Sequence, residues 1–176
     1  METEAANNVG VAFLNAAGEF DDPARAAAWW GRLHRDAAGV LPLSAPSKPR
    51  FDLALAGELR DLQAAAAQTL AAIASGGQAP ESAMATISGA LGRGALRMDG
   101  SPPVVTYAVT DGAGSVLLPL AYAVSSLLAA DLRRLRRCAD TSCAAYFWDG
   151  TKNRSRRWCR LACMERVRSP RRRLPR

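Results

Sequence analysis

The chain has 176 residues, which is enough for one compact domain together with a small module. Hydrophobic residues make up 49% of it, an ordinary share for a globular protein, and the net charge is +7. Its longest apolar stretch, Val116–Ala130, is interrupted by Pro119, Ser125 and Ser126 and is shorter than the ~18–20 residues that a membrane-spanning helix needs. The composition therefore argues against a membrane protein and predicts a soluble, cytoplasmic one with no membrane partner.

The first 131 residues predict a helical domain. Asp21 or Asp22 can cap a helix with Pro23 at its first position, where the missing N–H costs nothing. Apolar residues recur at three- and four-residue steps along Phe51–Ser75, which predicts the longest helix of the chain. Two further helices are predicted at Ser82–Leu91 and at Val116–Leu132, the last running directly into a cysteine-rich segment.

Extended structure is predicted at one place in the first 131 residues. Leu96–Met98 and Val104–Val109 read as two short strands joined by a Gly- and Pro-containing turn. Leu41–Pro49, with three prolines, reads as a loop. The predicted fold class is mainly α: a helical domain over residues 1–131 with one small β-hairpin, a four-cysteine module over 132–168, and a basic tail over 169–176.

All four cysteines lie close together in the spacing C-x4-C-x15-C-x3-C, at Cys138, Cys143, Cys159 and Cys163. Two close pairs with a spacer of this length are typical of a four-thiolate zinc site, and we expect one Zn²⁺ per chain. An iron–sulfur cluster, disulfides and free thiols are the alternatives. Disulfides persist in oxidising compartments. Met1–Gly10 has neither the basic region nor the apolar stretch of a secretory signal, so metal binding is favoured over disulfides.

Charge is distributed unevenly along the chain. Residues 132–176 contain fifteen Lys and Arg and three acidic residues, a net charge of +12, so residues 1–131 carry −5. Basic charge beside a small metal site predicts a nucleic-acid binder, because phosphate neutralisation supplies most of the non-specific affinity. An arginine excess from GC-rich coding is the alternative, but such a bias should act on the acidic front half as well.

The front half offers no catalytic constellation, and we do not expect an enzyme. His34 is the only histidine and ends a predicted helix, where it is expected to cap carbonyls. Gly89–Gly94 lacks the Lys-Ser/Thr ending of a phosphate loop and follows no strand. Trp29 and Trp30 are expected in the core or at a domain interface.

The segment "CADTSCAAYFWDGTKNRSRRWCRLACMER" closely resembles the CGNR zinc finger, a small bacterial module. The helical front half, with Phe13–Asn15 and a final helix leading into "LRRC", is similar to the ABATE domain that precedes this finger. Members are described as stress-related transcriptional regulators. The resemblance therefore implies duplex DNA as a partner of the finger. For the front domain it implies sensing of a small-molecule or stress signal, or homodimer formation. The finger pattern matches at Cys138, Cys143, Phe147, Asp149, Lys152, Asn153, Arg154, Ser155, Arg156, Arg157, Trp158, Cys159, Cys163 and Arg166.

Basic and polar side chains around the second cysteine pair are the candidate nucleic-acid contacts. A short helix is predicted over Arg156–Leu161, and its arginines could pair with phosphate or guanine. Trp158 is expected to pack over the metal site. Met164-Glu165 replaces the family's Gly-Asn, which bears on affinity and sequence preference. The candidate contacts are Lys152, Asn153, Arg154, Arg156, Arg157, Arg160, Arg166 and Arg168, and the alternative function is a zinc-stabilised adaptor that docks an acidic protein surface or RNA.

Overall fold

A computed structural model describes residues 2–36, 49–99 and 104–168 of the chain. Three predicted segments lie outside the described residues: the loop at 41–49 except for Pro49, the turn at 100–103, and the basic tail at 169–176. The chain divides into two units, Met1–Ala130 and Asp131–Arg176. No helix in the described parts of the chain is long and apolar enough to cross a membrane.

The first unit consists of five helices and one strand pair among its described residues. Strands β1 and β2 pair antiparallel, with Gly94 opposite Val109 and Asp99 opposite Val104. The mainly α fold class is confirmed, together with the small hairpin. The elements in chain order are α1 (Glu2–Leu14), α2 (Pro23–Asp36), α3 (Leu53–Ala74), α4 (Glu81–Leu91), β1 (Gly94–Asp99), β2 (Val104–Val109) and α5 (Gly114–Leu128).

Two of the helices begin at aspartate caps. Oδ1 of Asp22 accepts hydrogen bonds from the backbone N–H groups of Ala24, at 2.8 Å, and Arg25, at 3.0 Å. Asp52 does the same at the start of α3, accepting from Leu55 N at 2.9 Å. Each carboxylate satisfies N–H groups that have no partner within their helix, so the prediction of a cap before Pro23 is confirmed.

Aromatic side chains from α1, α2 and the connection between them form one side of the core. The ring of Phe20 lies 5.3 Å from that of Phe13 and 5.0 Å from that of Trp29, centroid to centroid. Trp29 and Trp30 are both buried, as the sequence predicted for a core pair. Helix α1 itself was not predicted, because its N-terminal half is polar and gives no apolar periodicity.

Helix α5 is the buried centre of the first unit, and α1 packs closely against it. Ten of its fifteen residues are buried, including Pro119 within the helix. A Cβ atom on Gly10 of α1 would lie 2.8 Å from the carbonyl oxygen of Ala123. The absence of a side chain at Gly10 therefore lets the two helix backbones approach each other.

Replacing Gly10 by Ala is expected to lower the free energy of unfolding of the first unit by about 1–2 kcal/mol. The overlap is with backbone atoms of Ala123, so its cost lies in the upper part of the usual range, at about 2–3 kcal/mol, and exceeds the gain in helix propensity of about 1 kcal/mol. Gly89→Ala is the matched control, because a Cβ atom at this exposed position in α4 meets nothing within 4 Å. Thermal unfolding should show destabilisation for the first variant and none for the second; equal melting temperatures would contradict the close packing.

The second unit is built from short elements. It contains a 3₁₀ turn (Leu132–Arg134), strands β3 (Leu135–Arg137) and β4 (Tyr146–Trp148), and helix α6 (Leu161–Arg168). The strands pair antiparallel, with Leu135 opposite Trp148.

Two sequence predictions at this end of the chain are wrong. The last helix of the first unit ends at Leu128 instead of Leu132, since Asp131 caps the 3₁₀ turn by accepting from Arg133 N and the chain then becomes a strand. The helix predicted over Arg156–Leu161 begins only at Leu161, because hydrogen bonds to Arg136 and Asp149 hold the preceding segment in an irregular conformation.

Candidate metal centre

The four cysteine sulfur atoms converge on one point in the second unit. Cys138 directly follows β3, Cys143 lies in the turn before β4, Cys159 precedes α6 and Cys163 lies within it. All four sulfur atoms lie within 4.8 Å of one another. The Sγ–Sγ distances are 3.7 Å for Cys143 and Cys159 and 3.6 Å for Cys159 and Cys163.

These distances fit a tetrahedral zinc site. A tetrahedron with Zn–S bonds of about 2.3 Å has S–S edges of about 3.8 Å. A disulfide needs about 2.05 Å, and the four cysteines are free. An all-sulfur donor set with two close sequence pairs suits zinc, which when bound would cross-link the β3–β4 turn to α6.

Backbone hydrogen bonds shape the turns that carry the ligands. Cys138 N donates to Ala145 O at 3.0 Å and Cys143 N to Asp140 O at 2.8 Å, which folds the C-x4-C loop back on itself. Ala139 N donates to Arg157 O at 2.8 Å and so ties the first ligand pair to the segment before the second. The ligand geometry is therefore supported by contacts independent of the metal.

The thiols of Cys138 and Cys159 differ in pKa before a metal binds. Burial raises the pKa of Cys138, but N–H groups of Cys159 and Asp140 and the neighbouring thiols outweigh it and bring this pKa to about 7. Burial and the three adjacent thiols raise the pKa of Cys159 to about 12. Zinc must therefore displace protons from this cluster, and its affinity falls in acid.

Arg160 supplies positive charge beside the thiolates. Its pKa is raised by a hydrogen bond to Cys163 and by the charges of Cys163, Cys159 and Cys143. Four thiolates around Zn²⁺ leave a net charge of −2, which a neighbouring guanidinium partly neutralises. The position of Arg160 therefore suits a role at the metal centre.

Asp149 organises the spacer between the two ligand pairs. Its side chain is fully buried; Oδ1 accepts from Thr151 N at 3.0 Å and from the Thr151 hydroxyl at 2.5 Å. Oδ2 accepts from Arg156 N at 3.0 Å and faces Arg136 Nη1 at 3.4 Å. Burial alone raises the pKa of Asp149, but these hydrogen bonds keep the pKa below its ordinary value.

Several arginines of the module serve internal contacts. Arg136 Nη1 donates to the carbonyl oxygens of Arg154, at 2.7 Å, and Arg156, at 2.9 Å. Arg134 Nη1 donates to the carbonyl oxygens of Asp149 and Thr151, each at 3.0 Å. Sequence reasoning missed both residues, because basic residues in a basic segment give no signal of an internal role.

Two of the predicted nucleic-acid contacts are also held within the module. Arg156 Nε donates to Trp158 O at 2.9 Å, Nη2 donates to Cys159 O, and the guanidinium lies 5.1 Å from the centroid of Phe147. Arg166 pairs with Asp140 at 2.9 Å and donates to the Ser142 hydroxyl at 2.7 Å. The structure thus places both side chains against the ligand-bearing loops.

All eight predicted contacts are exposed residues, and the other six have fewer contacts within the module. Arg154 has a φ of 51°, in the left-handed region that a non-glycine residue rarely adopts, and lies 4.0 Å from Asp131. Lys152 and Asn153 lie in the turn before it. The remaining ones, Arg157, Arg160 and Arg168, lie before, between and after the second ligand pair in the sequence.

Trp158 is half-buried, with its Nε1 atom inaccessible to solvent. The guanidinium groups of Arg157 and Arg168 lie 5.2 and 5.3 Å from its ring centroid.

Met164 and Glu165 lie in α6 with helical backbone, so replacement of the family's Gly-Asn leaves the local fold regular. Glu165 is exposed.

The second unit is thus a four-cysteine zinc module. Residues 134–174 match the family model of the CGNR zinc finger, in agreement with the resemblance seen in the sequence. The module binds one zinc ion, and Cys138, Cys143, Cys159 and Cys163 are the residues placed to hold it. No curated protein matches the chain.

Proposed function

We propose that the protein is a zinc-dependent DNA-binding transcriptional regulator. The observation that supports this most directly is the concentration of cationic side chains on the zinc module. Residues 131–168 contain eleven Lys and Arg against four acidic residues. Several exposed cations, among them Lys152, Arg157 and Arg168, form no ion pair within the described parts of the chain, and nucleic-acid phosphate is the natural partner of such a surface.

The first unit is proposed as the part that senses a signal or forms a homodimer, as its likeness to the ABATE domain implies. A half-open cavity of about 290 Å³ lies at the start of α3, lined by Arg50, Asp52, Glu58 and Ala113 among others. Its volume is close to the lower end of the range of small-molecule sites, roughly 300–1,000 Å³. We propose a binding role for this unit, and no catalysis.

A docking adaptor for protein or RNA is the second candidate function. The observation in its favour is apolar exposure on α6, where Leu161 is 64% and Val167 45% exposed. Exposed apolar side chains beside a charged rim are common in protein interfaces.

A fragment of residues 1–130 is expected not to bind duplex DNA, whereas the full chain binds it with strong salt dependence. The fragment is acidic and repels phosphate, and the zinc module carries the basic charge. Both proteins should be titrated against a labelled duplex and a labelled single-stranded RNA, followed by selection of bound sequences from a random duplex pool.

Circular dichroism of the fragment should show helix, which controls for its folding. Equal DNA binding by the fragment and the full chain would contradict the assignment of binding to the module. Preference of the full chain for RNA, or affinity that salt leaves unchanged, would favour the adaptor.

A further inference from the structure

One aromatic ring in the zinc module holds two arginine side chains. The guanidinium carbons of Arg157 and Arg168 lie 5.2 and 5.3 Å from the centroid of the Trp158 ring, and so at most 10.5 Å from each other. This distance range is that of cation–π contacts, in which the face of the indole attracts the cation. We call this group the arginine pair.

Neither guanidinium of the arginine pair has a carboxylate partner among the residues that the structure describes. In contrast, Arg133, Arg136 and Arg166 each pair with an aspartate. Both cations lie over the indole ring, which carries no net charge. The arrangement is therefore suited to receive an anion from outside the module.

The positions of both arginines depend on the metal ligands. Arg157 lies two residues before Cys159, and its carbonyl oxygen accepts from Ala139 N beside Cys138. Arg168 ends the helix that carries Cys163. Because the ring and the ligand-bearing segments hold both side chains, less rotamer entropy is lost when they bind a ligand.

We propose that the arginine pair is a phosphate-binding site that contacts the sugar–phosphate backbone of duplex DNA without reading its bases. Backbone phosphates fit better than a base edge, since each guanidinium carries a full positive charge that can pair with the full negative charge of a phosphodiester, whereas a base edge offers only partial charges. The inference rests on the proposed function and deepens it, by separating these two arginines from Arg156 and Arg166, which hold the ligand-bearing loops.

Fluorescence anisotropy of the zinc-loaded full chain with several labelled duplexes of different sequence tests the site. Arg157→Ala and Arg168→Ala are each expected to weaken binding about 10-fold on every duplex, and each to reduce the slope of log affinity against log salt by about 0.9. The double variant should lose no more than about 30-fold, because the two groups act on one strand as a unit.

Trp158→Leu keeps every charge but removes the ring that orients the arginines. It is expected to weaken binding several-fold with an unchanged salt slope, and Trp158→Phe, which retains an aromatic face, should recover most of the loss. Arg133→Ala is the matched control, because it removes an exposed arginine that is already paired with Asp131. Zinc content of every variant confirms an intact module.

The outcomes separate this inference from the proposed function. If the unaltered chain binds duplex DNA but the arginine-pair variants lose no more than Arg133→Ala, the site is wrong and the proposed function stands. A loss confined to particular sequences would also overturn it, since it would indicate base readout. If the unaltered chain binds no duplex at any salt concentration, both proposals fail.

Discussion

Replacing Cys143 or Cys159 by Ser is expected to abolish tight zinc binding and to unfold the module over residues 131–168. The module has two strands of three residues and one helix of eight, too little to form a core without the metal. The apparent free energy of zinc binding to such sites is about 10–16 kcal/mol, and it contributes directly to the folding of the module. Metal analysis and thiol titration should find one zinc and four reduced cysteines in the unaltered protein.

The helices of the first unit are expected to remain folded in these variants, because their core does not depend on the metal. Chelation of the unaltered protein should therefore remove only the spectroscopic signals of the module, and added zinc should restore them. Thr141→Ala, an exposed change within the same C-x4-C turn, serves as the control and should retain zinc. Iron with visible absorbance, or a protein without free thiols after denaturation, would contradict the zinc assignment.

Replacing Asp149 by Ala is expected to cost about 2 kcal/mol of module stability, or about 30-fold in zinc affinity, since 1.4 kcal/mol corresponds to ten-fold. The change removes the acceptors of the Arg156 and Thr151 N–H groups, and it leaves the Arg136 guanidinium without its carboxylate. Competition with a chromogenic zinc chelator measures the loss.

Asp149→Asn tests the charge separately from the shape. Asn keeps an oxygen for Thr151 but not the pairing with Arg136, so an intermediate loss is expected. The pKa of Asp149 is below its ordinary value in the folded module, so its contribution is complete above the unfolded pKa of about 4 and is lost as pH falls through the folded pKa. If Asp149→Ala bound zinc with the affinity of the unaltered chain, Asp149 would not be needed to hold the segment between the two ligand pairs in place.

The sequence by itself determined most of the front domain and the ligand set. Helix α2 follows from the cap at Asp22 and helix α3 from the apolar steps along it, because caps and periodicity are local properties. The four cysteines are identified by spacing alone, since short ligand pairs must turn around one metal ion. The sequence did not indicate that α5 ends at Leu128, because Ala129 and Ala130 are compatible with a continuing helix. The cap at Asp131 starts a 3₁₀ turn instead.

Only the tertiary structure decided which arginines remain available for binding. In the sequence, Arg156 and Arg157 are equivalent candidate contacts, and Arg136 is a further residue of the basic segment. In the fold, Arg136 reaches the carbonyl oxygens of Arg154 and Arg156, Arg156 reaches those of Trp158 and Cys159, and Arg157 lies against the Trp158 ring. The physical reason is that a carbonyl eighteen or twenty residues away becomes a partner only once β3, Asp149 and the four ligands have folded the spacer back.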